Sequence, residues 1–250
     1  MAVYRSKGIV LRSIRYGEAD RILDLYTRDA GLVSAIAKGI RRTKSRFGAR
    51  LEPFSCVDFV AYQGRTLDTV TQAEVLKSFR GVRESLARFD AAAGMVGSVR
   101  ALSGGDEADR RVFNLLYKGL DALEERGSGF QSIEVAFGLK LAILAGYAPQ
   151  LEACLSCGAN PDEAAGNVYF APNLGGVLCA DCRSAAGDSF PLPPGTLERL
   201  EALIENPIRE APADTSLGEA VLRVVRSHVL AHAPGNALLG NRITTARRPA

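Results

Sequence analysis

Two groups of residues in this chain have types and spacings that can do chemistry. The first is a pair of Cys-x2-Cys units, Cys154/Cys157 and Cys179/Cys182, separated by 21 residues. Each unit can put two thiolates on one turn of backbone, and two units complete a tetrahedral shell of four sulfurs. Zn2+ fits that shell, one ion per chain, and with no open coordination position the site is structural. Gly158 after the first unit and Gly175–Gly176 before the second supply the tight turns of a zinc ribbon or knuckle, with VYFAPN (168–173) as its short strand. A rubredoxin-like iron site uses the same spacing. A redox dithiol needs only one such unit, at a helix start behind a strand. Cys56 lies inside a strand pattern and reads as an inert core thiol.

The second group is KGIRRTKSRFGAR, Lys38 to Arg50. Its thirteen residues hold six basic side chains (Lys38, Arg41, Arg42, Lys44, Arg46, Arg50) and no acidic one. The flanks GLVSAIA and LEPFSCVDFVAY both read as strands. A cationic connection without neutralising acids, tied at both ends to β-structure, is the footprint of a polyanion site. A charge run is also commonly no more than a solvated face. Phe47 and Tyr62 are the aromatics placed to stack exposed bases beside such a site.

No catalytic constellation is visible. His228 and His232 stand i, i+4 on a helical pattern, but no acid lies between them and the metalloprotease arrangement is absent, so they read as helix-surface histidines. Gly-x4-Gly-Lys-Ser/Thr and Gly-x-Ser-x-Gly are missing, which argues against ATP hydrolysis and the hydrolase elbow. Glu18, Asp20 and Asp24 are interspersed with Arg21 and apolar residues and read as partners of neighbouring cations. The chain reads as a binding protein rather than an enzyme.

Residues 3–80 have the patterning that must position the basic segment. VYRSKGIVLRSIRY is a long strand with a bulge or bend at Gly8. RILDLYT and LVSAIA follow, joined by the turn RDAG; FSCVDFVAY and TLDTVTQAEV come after the basic connection. Five strands in this length fit an OB barrel, which binds oligonucleotides on one face and with its loops, and also an SH3-like barrel. From Val82 the apolar period changes from 2 to 3.6. Helical patterns cover 82–103, 106–126 and the nearly all-apolar 130–149, then 191–207 and 216–235 after the cysteines. A helix apolar on most sides belongs at the centre of a bundle. The expected fold is α+β and multidomain, an N-terminal OB-fold β-barrel followed by an α-helical bundle carrying an inserted four-cysteine zinc module. The expected divisions are 1–80 (barrel), 81–150 with 190–238 (helical domain), 151–189 (zinc module) and 239–250 (disordered basic tail).

Charge is distributed unevenly along the chain. Residues 1–80 hold 15 Lys/Arg against 8 Asp/Glu, net +7, whereas residues 81–250 hold 16 against 20, net −4. That asymmetry points to a nucleic-acid-facing N-terminal domain on a near-neutral body. No stretch reaches the length of an apolar membrane span and the N-terminus lacks a signal-peptide core, so a cytoplasmic protein is expected.

GIVLRSIRYGEADRILDLYT, then GLVSAIAKGIRRTKSRFGARLEPFS and LDTVTQAEVLKSF, resemble the N-terminal domain of the RecO family of bacterial recombination mediators. The order of barrel, helical domain and zinc module resembles that family over essentially the whole chain. The resemblance implies a protein that binds single- and double-stranded DNA, anneals complementary strands, and binds RecR and the C-terminal tail of the single-strand-binding protein SSB. With RecR it would help load RecA onto SSB-coated DNA, as in gap repair. It also implies that Lys38, Arg41, Arg42, Lys44, Arg46 and Arg50 contact DNA and that Cys154, Cys157, Cys179 and Cys182 bind zinc. The rival reading is a zinc-ribbon/OB RNA-binding or RNA-modifying factor.

Overall fold

The structure, a computed structural model, describes residues 2–45, 47–103, 108–161, 167–212 and 218–233. The expected basic tail at 239–250 lies outside them. By its internal contacts the chain forms two compact units. One holds residues 1–96 and 103–126; the other holds 97–102 and 127–250.

The first unit is built on a closed barrel in the order β1-β2-β3-β5-β4. Strand β1 (Val3–Tyr16) is long enough to serve two neighbours. Its first half pairs antiparallel with β4 (Cys56–Tyr62), and its second half with β2 (Asp20–Thr27). The change of partner falls at Gly8, where both registers overlap. A Cβ there would meet Phe59 at 3.1 Å and Leu25 at 3.3 Å, so glycine lets the strand cross the core without displacing either side chain. A register shift between Val10 and Arg12 adds the bulge that closing a small barrel requires. Strand β3 (Gly31–Ala37) pairs with β2, and β5 (Asp68–Lys77) pairs antiparallel with β4. Parallel β3–β5 pairing at Ala35/Asp68 and Ile36/Thr69 closes the cylinder.

Alternation fills the interior: Leu23, Leu25, Ala35, Ala37, Val57, Phe59, Ala61 and Val70 are buried. The long β3–β4 connection adds Ile40, Phe47 and Leu51 to the same core.

The helical pattern beginning near Val82 is two helices, α1 (Arg80–Glu84) and α2 (Leu86–Leu102), because Ser85 is extended (φ −116°) and breaks the run. Helix α3 (Arg110–Glu125) starts at Asp109, whose carboxylate accepts the Arg111 amide N–H. By its internal contacts it groups with the barrel's compact unit. Its apolar stripe, including Val112, Phe113, Leu116, Leu120 and Leu123, is buried. Phe79 is held against Tyr117 edge to face at 5.5 Å. Glu124 accepts the Gly81 and Val82 amide N–H groups at the start of α1, and Lys77 pairs with Asp121. These contacts span some forty residues, which local patterning does not report.

In the second unit α4 (Phe130–Leu144) is buried on most sides, as its composition predicts. It packs against α5 (Thr196–Glu205) and α6 (Glu219–His232). Gly138 permits the close approach of α6, because a Cβ would fall 3.2 Å from Val225. A three-stranded sheet of β6 (Val168–Ala171), β7 (Gly176–Cys179) and β8 (Phe190–Pro191) carries the cysteine segment. Its last strand lies just beyond residue 189.

Candidate metal centre and nucleic-acid interface

The fold brings Cys154, Cys157, Cys179 and Cys182 together, with all four Sγ atoms within 4.8 Å of one another. The backbone prepares this. Cys154 N–H donates to Ala159 O (2.8 Å) and Gly158 N–H to Cys154 O (2.9 Å), curling the first unit into a knuckle with Gly158 at φ +73°. Cys182 N–H donates to Cys179 O (3.1 Å) in the second. Bonds from Leu155 N–H to Val177 O and from Val177 N–H to Gln150 O tie the first knuckle to β7. At Gly176 a Cβ would lie 2.5 Å from Gln150 O, so this junction excludes every side chain.

The sulfur geometry fits a metal. A Zn–S bond of about 2.3 Å places tetrahedral sulfurs about 3.8 Å apart, and Cys157 and Cys179 Sγ stand 3.8 Å apart. Burial pushes the Cys154 thiol up, but N–H donors from Cys157, Cys179 and Ser156 outweigh it and hold the pKa at about 6. At Cys182 a bond with Ser156 lowers the pKa, yet Cys179 and Cys157 drive it up to about 12. Four thiolates this close repel, and a cation is what lets all of them ionise. Cys56 is separate and buried, its thiol pushed up to about 11 chiefly by desolvation. It is the core residue expected.

The basic connection is less loose than its composition suggests. Gly39 N–H donates to Asp20 Oδ1 (2.7 Å), Arg41 N–H to Ala19 O (2.9 Å), and Arg41 Nη1 to Glu18 O (3.0 Å). These bonds extend the β2–β3 ladder to the tip of the β1–β2 hairpin. Lys38, Arg41, Arg42 and Lys44 are exposed, and among the described residues none of them forms an ion pair. Arg50 is also exposed and donates to Phe47 O at 3.2 Å. Arg46 lies outside the described residues.

Phe47 does not stack bases. It is 1% exposed and forms part of the barrel core, because a lone aromatic in a polar loop anchors that loop by burying itself. Tyr62 remains 45% exposed. Arg50 and Phe47 border a groove of about 500 Å3 with Arg5, Asp58, Thr71 and Glu74. Arg5 binds Asp58 through two bonds (2.8 and 3.0 Å) and holds its carboxyl below the ordinary carboxylate range. Asp20, as anchor of the basic loop, was not legible: Asp20 reads as one more strand-edge acid until the Gly39 N–H is brought to it.

His228 is not on the surface either. It is 1% exposed, with Nε2 2.7 Å from Tyr147 O and the ring against Phe170, while its Nδ1 has no partner among the described residues. Burial chiefly lowers its pKa; the Tyr147 carbonyl raises it and His232 lowers it further.

Residues 1–79 match the family described as Recombination protein O N terminal, and residues 83–238 match Recombination protein O C terminal. The chain belongs to the RecO family. It is 68% identical to a DNA repair protein RecO of Rubrobacter xylanophilus over 98% of both chains. It is 37% identical to the protein of the same name from Symbiobacterium thermophilum, over 91% of this chain and 90% of that one. The Thermobifida fusca relative is 39% identical over 85% of this chain and 86% of its own. The RecO resemblance of the sequence therefore holds, and with it a role in DNA repair. Among the described residues no helix is long and apolar enough to cross a membrane.

Proposed function

We propose that this protein is a non-enzymatic mediator of DNA repair and recombination. It binds single- and double-stranded DNA through phosphates, anneals complementary strands, and with RecR helps load RecA onto DNA coated by SSB. The observation that carries this reading is the exposed set Lys38, Arg41, Arg42 and Lys44, without ion pairs among the described residues, on a barrel loop of a RecO-family chain. Arg46 and Arg50 complete the set in sequence. Phosphate contacts give affinity without sequence preference, which a protein acting at any gap requires. Holding two strands on one cationic surface lowers their repulsion and promotes annealing without ATP. The relatives' DNA-repair descriptions favour DNA over the RNA-modifying alternative. RecR, the SSB tail and RecA enter from the family resemblance, as does placement in the cytoplasm at the nucleoid.

Cys154, Cys157, Cys179 and Cys182 hold one structural Zn2+ in this reading. The ion supplies no reaction; the cysteines use it to pin the two knuckles of the β6–β7 segment together.

The test is Arg42→Glu with Lys44→Glu, two positions whose side chains make no hydrogen bond or ion pair among the described residues. Each lost phosphate contact should reduce the log–log salt slope by roughly 0.7 on single strands, so roughly 1.4 in all. Affinity for single-stranded DNA and annealing rate should fall together. If both survive at wild-type level, the loop is only a solvated face.

A further inference from the structure

We propose that Asp20 and Arg41 are positioning residues: they lash the root of the basic loop to the β1–β2 hairpin tip and so preset Lys38, Arg42 and Lys44 for phosphate. This rests on the DNA-binding reading above and divides its cationic set into two roles.

A carboxylate beside a polyanion site opposes binding by its charge, so an acid in that place has another use. Asp20 opens β2, whose ladder with β3 ends at the pair Arg21/Ala37. Beyond that pair the Asp20 side chain takes over as acceptor, with Gly39 N–H donating to Oδ1 at 2.7 Å. Gly39 lies at φ +68°, where the chain turns out of the strand and glycine is favoured. Ile40, next in line, is buried in the barrel core. Arg41 is exposed yet bound along the hairpin tip. Its N–H donates to Ala19 O (2.9 Å), and its Nη1 to Glu18 O (3.0 Å) and, at longer range, to Gly17 O (3.5 Å).

Residues 39–41 are thus fixed at three successive positions, and Lys38 and Arg42 stand immediately on either side. Arg42 N–H donates to Gly39 O (3.1 Å) and Ser45 N–H to Arg42 O (2.9 Å), so the turn that carries Arg42 and Lys44 grows from the lashed root. The Arg41 fork reaches two carbonyls, a geometry that the single ammonium of lysine does not reproduce. A loop ordered before its ligand arrives loses less freedom on binding, so anchors raise affinity without a ligand contact of their own.

The test compares two variants of equal charge. Asp20→Asn and Asp20→Ala both delete the carboxylate charge, and only Asn keeps an oxygen for the Gly39 N–H. Asp20→Ala should bind oligo-dT about 2- to 12-fold more weakly than Asp20→Asn, the range for one net hydrogen bond. It should also bind more weakly than wild type, whereas loss of a negative charge alone predicts the opposite sign. Arg41→Lys keeps the charge of the loop and should weaken binding as well. In the DNA-free protein, amide hydrogen exchange across residues 38–45 should be faster in Asp20→Ala and Arg41→Lys than in wild type or Asp20→Asn. Loss of a phosphate contact alone would not change that exchange. Should Asp20→Ala fail to fold, the affinity and exchange of Arg41→Lys decide. If wild type binds oligo-dT with a steep salt slope but Asp20→Ala binds as tightly as Asp20→Asn, or Arg41→Lys alters neither affinity nor exchange, the anchors are refuted and the phosphate site stands. If wild type binds no oligo-dT, the DNA-binding reading falls and this proposal with it.

Discussion

Phe47 and His228 show how far a single residue can be read before its neighbours are known. Each belongs to a polar or amphipathic stretch whose composition says surface, and each is buried. A side chain's exposure depends on what folds over it, which spacing alone does not carry. The four cysteines were legible because two close pairs restrict the possible geometry far more than one aromatic does. His228 gives a prediction at this scale. Its folded pKa lies below the ordinary histidine value, chiefly through burial, so the unfolded chain takes up a proton more readily than the folded one. Stability from this group is whole above about pH 6.5 and declines as pH falls from there toward the folded value. Thermal unfolding from pH 8 to 5 should show this decline, and His228→Gln should flatten it. An unchanged pH profile in the variant would show that His228 does not titrate on unfolding.

Among the elements, periodicity located the strands and most helices, since burial on one face dictates the repeat. It does not report the break at Ser85, nor the bonds that tie the start of α1 to Glu124 of α3. In the cysteine segment a small cluster of buried residues, including Ala171, Leu178 and Ala186, packs around the thiols. Metal binding at such sites contributes on the order of 10 kcal/mol. If the four cysteines hold zinc, Cys157→Ser, at an exposed member of the set, should abolish stoichiometric zinc by elemental analysis and lower the melting temperature. Chelation of wild type should do the same, with binding of DNA to the distant-in-sequence 38–50 loop largely kept. Wild type that purifies without stoichiometric metal and melts identically with chelator would remove zinc from the account.

For the molecule as a whole, charge and compactness divide the chain at different places, and the difference can be tested. Net charge changes sign near residue 80, but the barrel's compact unit takes in residues 1–96, with α1, and 103–126, with α3. Tyr26 and Phe79 are each 1% exposed, and Tyr26 meets Asp109 while Phe79 meets Tyr117. A fragment ending at residue 80 would bare both rings and lose the ion pair of Lys77 with Asp121. Exposed aromatic surface of that kind favours aggregation or loss of the native state. A fragment ending at Arg126 keeps those contacts and carries 22 Lys/Arg against 16 Asp/Glu, net +6. It should therefore be soluble, unfold cooperatively and bind oligo-dT with the salt slope of the full chain. The shorter fragment should melt well below it or fail to fold. Equal melting of the two would mean that α3 only decorates the barrel, and that the boundary lies at residue 80 after all.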